Sequence, residues 1–237
     1  MHLETISDSM LHLSKKLGFL HDFSFYLAGG TGLALQIGHR RSFDLDFFTA
    51  KEFSPDELAA VIKKHNLSTE GEMQSHGTLY CIIEGVKTSF IFYDCLLIFP
   101  QISLESITIA DWRDIVTEKL RTVGDRGQKK DFFDLYFGAQ KMGIDNIVES
   151  AYKKFGKNVN FFHLVKGLTY FEDAEKNPDP LLLDKSASWN KVKKFFMAHF
   201  QDFENAFIRI TMCYLQPSLS PDRSLFLPLP DLTNLNL

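Results

Sequence analysis

The feature that most limits what this chain can fold into is a change of period near residue 110. Before it, short runs at residues 23–27, 43–48, 67–74, 78–84 and 86–93 carry strand-like patterning, and they are interleaved with helical spacing at 7–20, 31–37 and 54–65. After Ile107-Thr108-Ile109 only helical spacing remains, over 111–123, 129–142, 144–155, 161–174 and 188–213. The order predicts an α+β chain: a mixed α/β segment at 1–110, a helical segment at 111–215, and a tail at 216–237. Four of the 8 prolines lie in that tail, which excludes helix there, while Leu225, Phe226, Leu227 and Leu229 predict an extended course across the protein or a partner.

Helix starts are marked locally. Ser7 or Asp8 can cap the first helix, and Ser54-Pro55-Asp56-Glu57 places a cap, a first-turn proline and an acidic third position in series. Glu84-Gly85 predicts a tight turn between two strands. With 45% hydrophobic and 24% charged residues the 237-residue chain is an ordinary globular sequence, and its 23 Phe predict an aromatic core. Phe132, Phe133, Phe161, Phe162, Phe195 and Phe196 are expected there.

Charge and cysteine usage exclude several function classes. A net charge of −4 argues against a general nucleic-acid coat, so any nucleic-acid contact must come from a local patch. Cys81, Cys95 and Cys213 form no CxxC pair. No apolar run reaches ~18 residues, and the N-terminal segment lacks the basic and apolar regions of a signal peptide. The expectation is a soluble cytoplasmic protein with no membrane partner. No P-loop and no HExxH or paired-ligand spacing of a zinc site is present.

The chemistry concentrates in two short segments. Gly29-Gly30-Thr31 closes one strand and opens a helix, where main-chain N–H groups and the helix dipole favour a phosphate. After twelve intervening residues, Asp44 and Asp46 sit at i and i+2 of a strand and share a face. Two adjacent carboxylates call for a cation, and hard oxygen ligands suit Mg²⁺ or Mn²⁺ together with substrate phosphates. An anion cradle beside a metal clamp fits a nucleoside triphosphate (NTP). Arg40 or Arg41 can reach its phosphates, Ser42 can hydrogen-bond one, and His39 is expected as a solvated loop residue. Further on, Lys119, Arg126, Lys129 and Lys130 concentrate positive charge at a helix junction, and Asp131 and Asp134 share a helical face.

Residues 27–36, LAGGTGLALQ, with 39–48, HRRSFDLDFF, resemble the AbiEii-type nucleotidyltransferase toxin family, a branch of the polymerase-β-like nucleotidyltransferases. A second match runs through Asp114-Ile115, Glu118-Lys119-Leu120 and residues 126–136, RGQKKDFFDLY. The resemblance implies a polymerase-β-like mixed sheet with flanking helices. It also implies transfer of a nucleoside monophosphate to an acceptor hydroxyl, the 3′ end of a tRNA being the family's example, and a cognate antitoxin. It makes Asp44, Asp46, Lys119 and Asp131 the catalytic candidates and Asp134 a weaker one. Gly29, Gly30, Thr31, Arg40, Arg41, Ser42 and Lys119 become the nucleotide-binding candidates, and Asp44 and Asp46 the metal ligands. The chain departs from the superfamily at one place: Ser89 stands where a third carboxylate is expected, with Asp94 and Glu84 as imperfect substitutes. Alternatives are therefore a nucleotide-binding protein of impaired turnover and a phosphotransferase acting on a protein or a small molecule. Lys153, Lys154, Lys157, Lys166, Lys185, Lys191, Lys193 and Lys194 can form a stripe that receives an RNA end.

Overall fold

A computed structural model describes residues 1–125, 127–156 and 160–215. Arg126, Lys157 and the Pro-rich tail lie outside the described residues. The helices are α1 (Asp8–Lys16), α2 (Gly29–Ile37), α3 (Pro55–Lys64), α4 (Trp112–Asp125), α5 (Lys129–Met142), α6 (Ile144–Phe155), α7 (Phe161–Gly167), α8 (Glu172–Glu175) and α9 (Trp189–Leu215). The strands are β1 (Tyr26–Leu27), β2 (Asp44–Thr49), β3 (Thr69–Ser75), β4 (Thr78–Ile83), β5 (Val86–Phe92), β6 (Ile102–Leu104) and β7 (Ile107–Ile109). They form one mixed sheet in the order β3-β4-β5-β2-β1-β7-β6, in which β2 runs parallel to β5 and antiparallel to β1.

The expected caps form: Ser7 Oγ accepts from the Met10 N–H at 3.2 Å and Ser54 Oγ from the Glu57 N–H at 3.3 Å. Glu84 and Gly85 both take positive φ, 48° and 80°, and make the two-residue turn that pairs Ile83 with Val86.

Several boundaries differ from the sequence expectation. The first helix stops at Lys16 and gives way to a 3₁₀ turn, Gly18–Phe23, which leaves only Tyr26 and Leu27 of the first strand. The helix expected over 161–174 breaks after Gly167, and a short α8 resumes at Glu172. A Cβ on Gly167 would lie 2.6 Å from Gly124 Cα, so α4 and α7 touch through their backbones. β6 is a further strand, hairpinned to β7. Of the six phenylalanines assigned to the core, Phe132, Phe133 and Phe196 are fully buried, but Phe162 is 69% exposed.

The sheet separates two apolar clusters. On one face Leu45, Phe47, Phe90 and Ile109 pack with Leu13 and Leu17 and with Leu58 and Ile62. The other cluster is built mainly from α4 to α9, and Tyr26, Leu33 and Ala110 of the sheet half join it. Between that helical layer and the second sheet face lies a cleft.

Candidate active site

The cleft of about 560 Å³ is lined by Asp44, Asp46 and Phe48 of β2, Ser89 and Ile91 of β5, Gly29 and Gly30 of α2, and Lys119, Lys130 and Asp131 of α4 and α5. Strand alternation creates this arrangement. Leu45 and Phe47 enter the core, so Asp44, Asp46 and Phe48 must face the opposite side. Burial first, and then the neighbouring Asp44, push the Asp46 carboxyl above its ordinary value; Ser89, Lys130 and Lys119 oppose that rise. Ser89 is paired with Asp46 in the β2–β5 register and hydrogen-bonds its carboxyl. Neither expected substitute lines the cleft: Glu84 sits at the hairpin tip with Lys16 Nζ 2.8 Å away, and Asp94 lies beyond the end of β5.

Among the described residues no group of three or more His, Cys, Asp or Glu side chains is placed to hold a metal. The donors at hand are the Asp44–Asp46 pair. Such a pair fits Mg²⁺ or Mn²⁺ when substrate phosphates complete the shell, and a cation would relieve the opposition to Asp46 ionisation.

The glycines of α2 serve close approach. Gly29 has φ +59°, and a Cβ there would lie 2.9 Å from Asp46 Oδ2; a Cβ on Gly30 would collide with Arg40 Nη2. No side chain caps α2, so its first turn is presented to the cleft by two residues without side chains. That is a favourable anion position.

The remaining nucleotide-binding candidates divide. Thr31 and Ser42 are buried and off the cleft. Their hydroxyls are 2.7 Å apart, and Thr31 Oγ1 donates to the main-chain oxygen of Asp44, which fastens the start of α2 to the start of β2. Arg41 is exposed outside the cleft and donates its main-chain N–H to Leu181 O. These three position the site without lining it.

Arg40 does line the cleft, but its guanidinium is engaged. Nε and Nη2 meet the two oxygens of Asp134 at 2.6 and 2.9 Å. The Lys119 ammonium lies 2.6 Å from Asp131 Oδ1 and 2.8 Å from Asp134 Oδ2. His39, expected in solvent, is 1% exposed, with Nε2 2.7 Å from Asp134 Oδ1. Burial lowers the His39 pKa, so the ring is neutral and Nε2–H donates. Burial also opposes ionisation of Asp134, yet Arg40 and then Lys119 hold it well below the usual carboxylate range. Two cations and two carboxylates therefore form a closed cluster under the cleft floor, and Asp134 is its hub.

Lysines around the junction have separate fates. Lys130 is exposed on the cleft, whereas Lys129 is buried beside Trp189 and pairs with Asp179 at 3.0 Å. Of the lysines expected to receive an RNA end, only Lys154 lines the cleft among those described, and it is buried against Asp114 at 2.9 Å and Glu118 at 3.2 Å. Lys153 and Lys193 pair with Glu149 and Glu175. Sequence reasoning missed Arg121 and Tyr93 as cleft residues, and it included Glu118 and Gln128 in the second family match without giving them a role. The i, i+3 and i, i+4 spacing of Glu118, Arg121 and Thr122 on α4 places those three on one helical face, while nothing local points to Tyr93.

Comparison with known proteins places this geometry. An uncharacterized Aquifex aeolicus protein, aq_aa25, is 38% identical over 191 residues, covering 79% of this chain and 90% of its own length. The crystal structure of JHP933 from Helicobacter pylori shares the fold at TM-score 0.50 and 18% identity, over 88% of this chain and 95% of that one. MenT4, a nucleotidyltransferase toxin of Mycobacterium tuberculosis H37Rv, aligns at TM-score 0.49 and 17% identity, over 85% and 92%. The model of the AbiEii nucleotidyl transferase toxins of type IV toxin–antitoxin systems matches residues 19–209. With glycine turn, paired aspartates and buried lysine all inside the matched span, the chain belongs to that family of nucleotidyltransferases.

Proposed function

We propose that the protein transfers a nucleoside monophosphate from an NTP to a hydroxyl of an RNA acceptor, the tRNA 3′ end being the acceptor the family resemblance implies. The observation that carries this reading is convergence. The bare first turn of α2, the Asp44–Asp46 pair and the Lys119–Asp131 pair come from four elements and line one cleft.

Gly29 and Gly30 bind the triphosphate through main-chain N–H groups at the helix start. Asp44 and Asp46 hold Mg²⁺ or Mn²⁺, which when bound neutralises phosphate charge and polarises the α-phosphoryl group. Ser89 orients the Asp46 carboxylate through its hydrogen bond. Lys119, aimed by Asp131, contributes positive charge at the cleft wall, and Lys130 contributes more at the rim. The acceptor oxygen bonds to the α-phosphorus as the bond to pyrophosphate breaks, and the hydroxyl proton leaves to solvent water. Serine is a poor base at neutral pH, so rate enhancement rests on positioning and charge neutralisation. A cognate antitoxin protein is the expected partner of a chain in this family.

The test is label transfer from each of the four α-³²P-NTPs to total cellular RNA, with Mg²⁺ or Mn²⁺ and a no-RNA control. Label on RNA that falls at least 100-fold in Asp46→Asn is the expected result. The same variant should melt on the order of 2 °C higher than wild type without metal, because it removes a carboxylate whose ionisation the fold opposes. A raised folded pKa contributes stability below the unfolded value of 3.8 that is lost as pH rises through the folded value. Label on protein would replace RNA by a protein acceptor, and no transfer from any NTP would overturn the reading.

A further inference from the structure

The cleft has a second end that the phosphate chemistry does not use. Along β2 the same face that carries Asp44 and Asp46 carries Phe48 next, about 7 Å further on at strand spacing. Tyr26 lies opposite Phe48 across the β1–β2 pair, its ring 6.4 Å away and nearly parallel, and Tyr93 meets Phe48 edge-on at 6.1 Å. Leu97, Ala110 and Ile115 complete an apolar wall on the cleft. A flat ring fits such a wall, and a base lies a ribose away from its phosphates.

Of the carboxylates at this end, Asp114 is buried and accepts from the Ile98 and Phe99 N–H groups, whereas Glu118 is partly exposed. Glu118, on α4 beside Lys119, lines the cleft with its side chain 25% exposed. Its Oε2 accepts from the Tyr93 hydroxyl at 2.9 Å; its Oε1 accepts from Cys95 Sγ at 3.4 Å and lies 3.2 Å from Lys154 Nζ. Arg121 Nη1 donates to the Tyr93 oxygen at 3.1 Å, which turns the phenol proton toward Glu118. Burial, and then Glu118, push the Tyr93 pKa up, so the phenol stays protonated. Every partner named here is a donor. Glu118 is thereby held as an acceptor, and of the roughly four lone-pair positions of a carboxylate the partners among the described residues leave one on Oε2.

We propose that Glu118 selects the base of the incoming nucleotide, accepting a hydrogen bond from an exocyclic amine such as cytosine N4 and disfavouring uracil, which offers a carbonyl oxygen there. This rests on the nucleotidyltransferase reading and adds to it the class of nucleotide. A carboxylate that accepts from the cytosine amine and meets only an acceptor on uracil sets an expected preference of about tenfold or more. Phe48 and Tyr26 stack on the base without choosing it, and Lys154 acts as a positioning residue for Glu118.

The experiment measures kcat/KM for CTP and UTP in RNA labelling, together with Kd by calorimetry for both nucleotides and for inorganic tripolyphosphate, in wild type, Glu118→Gln and Phe48→Leu. Wild type should prefer CTP over UTP at least tenfold in both measures. Glu118→Gln, whose amide can donate to uracil O4, should reduce that ratio at least tenfold while leaving tripolyphosphate affinity within twofold. Phe48→Leu should weaken both nucleotides alike, again sparing tripolyphosphate, and it keeps the base subsite testable if Glu118→Gln does not fold. Equal use of CTP and UTP by wild type would overturn the proposal. So would an unchanged ratio in Glu118→Gln, or an effect of that variant on acceptor choice alone. Transfer or binding with the wrong base ranking sinks only the role of Glu118; absence of both transfer and nucleotide binding sinks the nucleotidyltransferase reading with it.

Discussion

At the scale of single residues, Asp134 is the group whose loss the fold can least absorb. It is fully buried and takes four short polar contacts from three side chains, Arg40, Lys119 and His39. Replacing it leaves two cations facing each other with one carboxylate between them. Removing one member of a buried charge network costs about 3–5 kcal/mol. Asp134→Asn is therefore expected to lower the urea midpoint by that equivalent and to impair transfer through misplacement of Lys119. His39 gives the same cluster a pH signature. Burial keeps its ring neutral in the fold, while the unfolded chain takes up a proton below about 6.5. The unfolded state then binds more protons, so stability falls as pH drops below that value, by up to about 1.4 kcal/mol per pH unit. Asp134 adds to the loss at lower pH, because its carboxylate contribution is present above the unfolded value of 3.8 and fades as pH falls below it. Urea unfolding of wild type and His39→Gln between pH 5 and 6.5 should show a shallower slope in the variant. Equal slopes would mean that His39 is protonated in the fold.

At the scale of elements, α2 is positioned by the absence of side chains at its start. Gly30 needs no unusual φ; it is required because Arg40 Nη2 occupies the space a methyl group would take. A guanidinium can often swing aside, but here Asp134 grips it at two atoms. Gly30→Ala is expected to cost ~1–3 kcal/mol by overpacking and to reduce transfer at least tenfold; wild-type melting and transfer in that variant would show that Arg40 can yield. The sequence made this element legible because Gly-Gly-Thr and Asp-x-Asp are local patterns with local causes, and the same holds for the Ser7 and Ser54 caps. What it hid is non-local. His39 and Arg40 meet Asp134 across more than ninety positions, and nothing in their own neighbourhood distinguishes them from loop residues that point to solvent. The break after Gly167 depends on its contact with Gly124, and β6 is only three residues long, too short for alternation to register.

At the scale of the whole molecule, the period change near residue 110 marks a change of secondary structure, and the site spans it. The sheet half carries Gly29, Gly30, Asp44, Asp46 and Ser89; the helical half carries Glu118, Lys119, Lys130, Asp131 and Lys154. Apolar packing crosses the same line, since Tyr26, Leu33 and Ala110 belong to the cluster built around α4 to α9. Gln36 ties α2 to the start of α4 by donating to Ala110 O at 2.9 Å and accepting from Trp112 N at 2.9 Å. Arg40, moreover, has its carboxylate partner on α5. A fragment ending at residue 110 would leave that guanidinium buried without Asp134 and expose one face of its sheet. We expect residues 1–110, expressed alone, to lack a cooperative thermal transition and to bind no NTP by calorimetry. Supplying residues 111–237 in trans should restore part of both, because the missing surface and the missing charges arrive together. A cooperative melt of the 1–110 fragment, with nucleotide affinity within tenfold of the full chain, would show that the sheet half folds and binds by itself and that the helical half serves the acceptor alone.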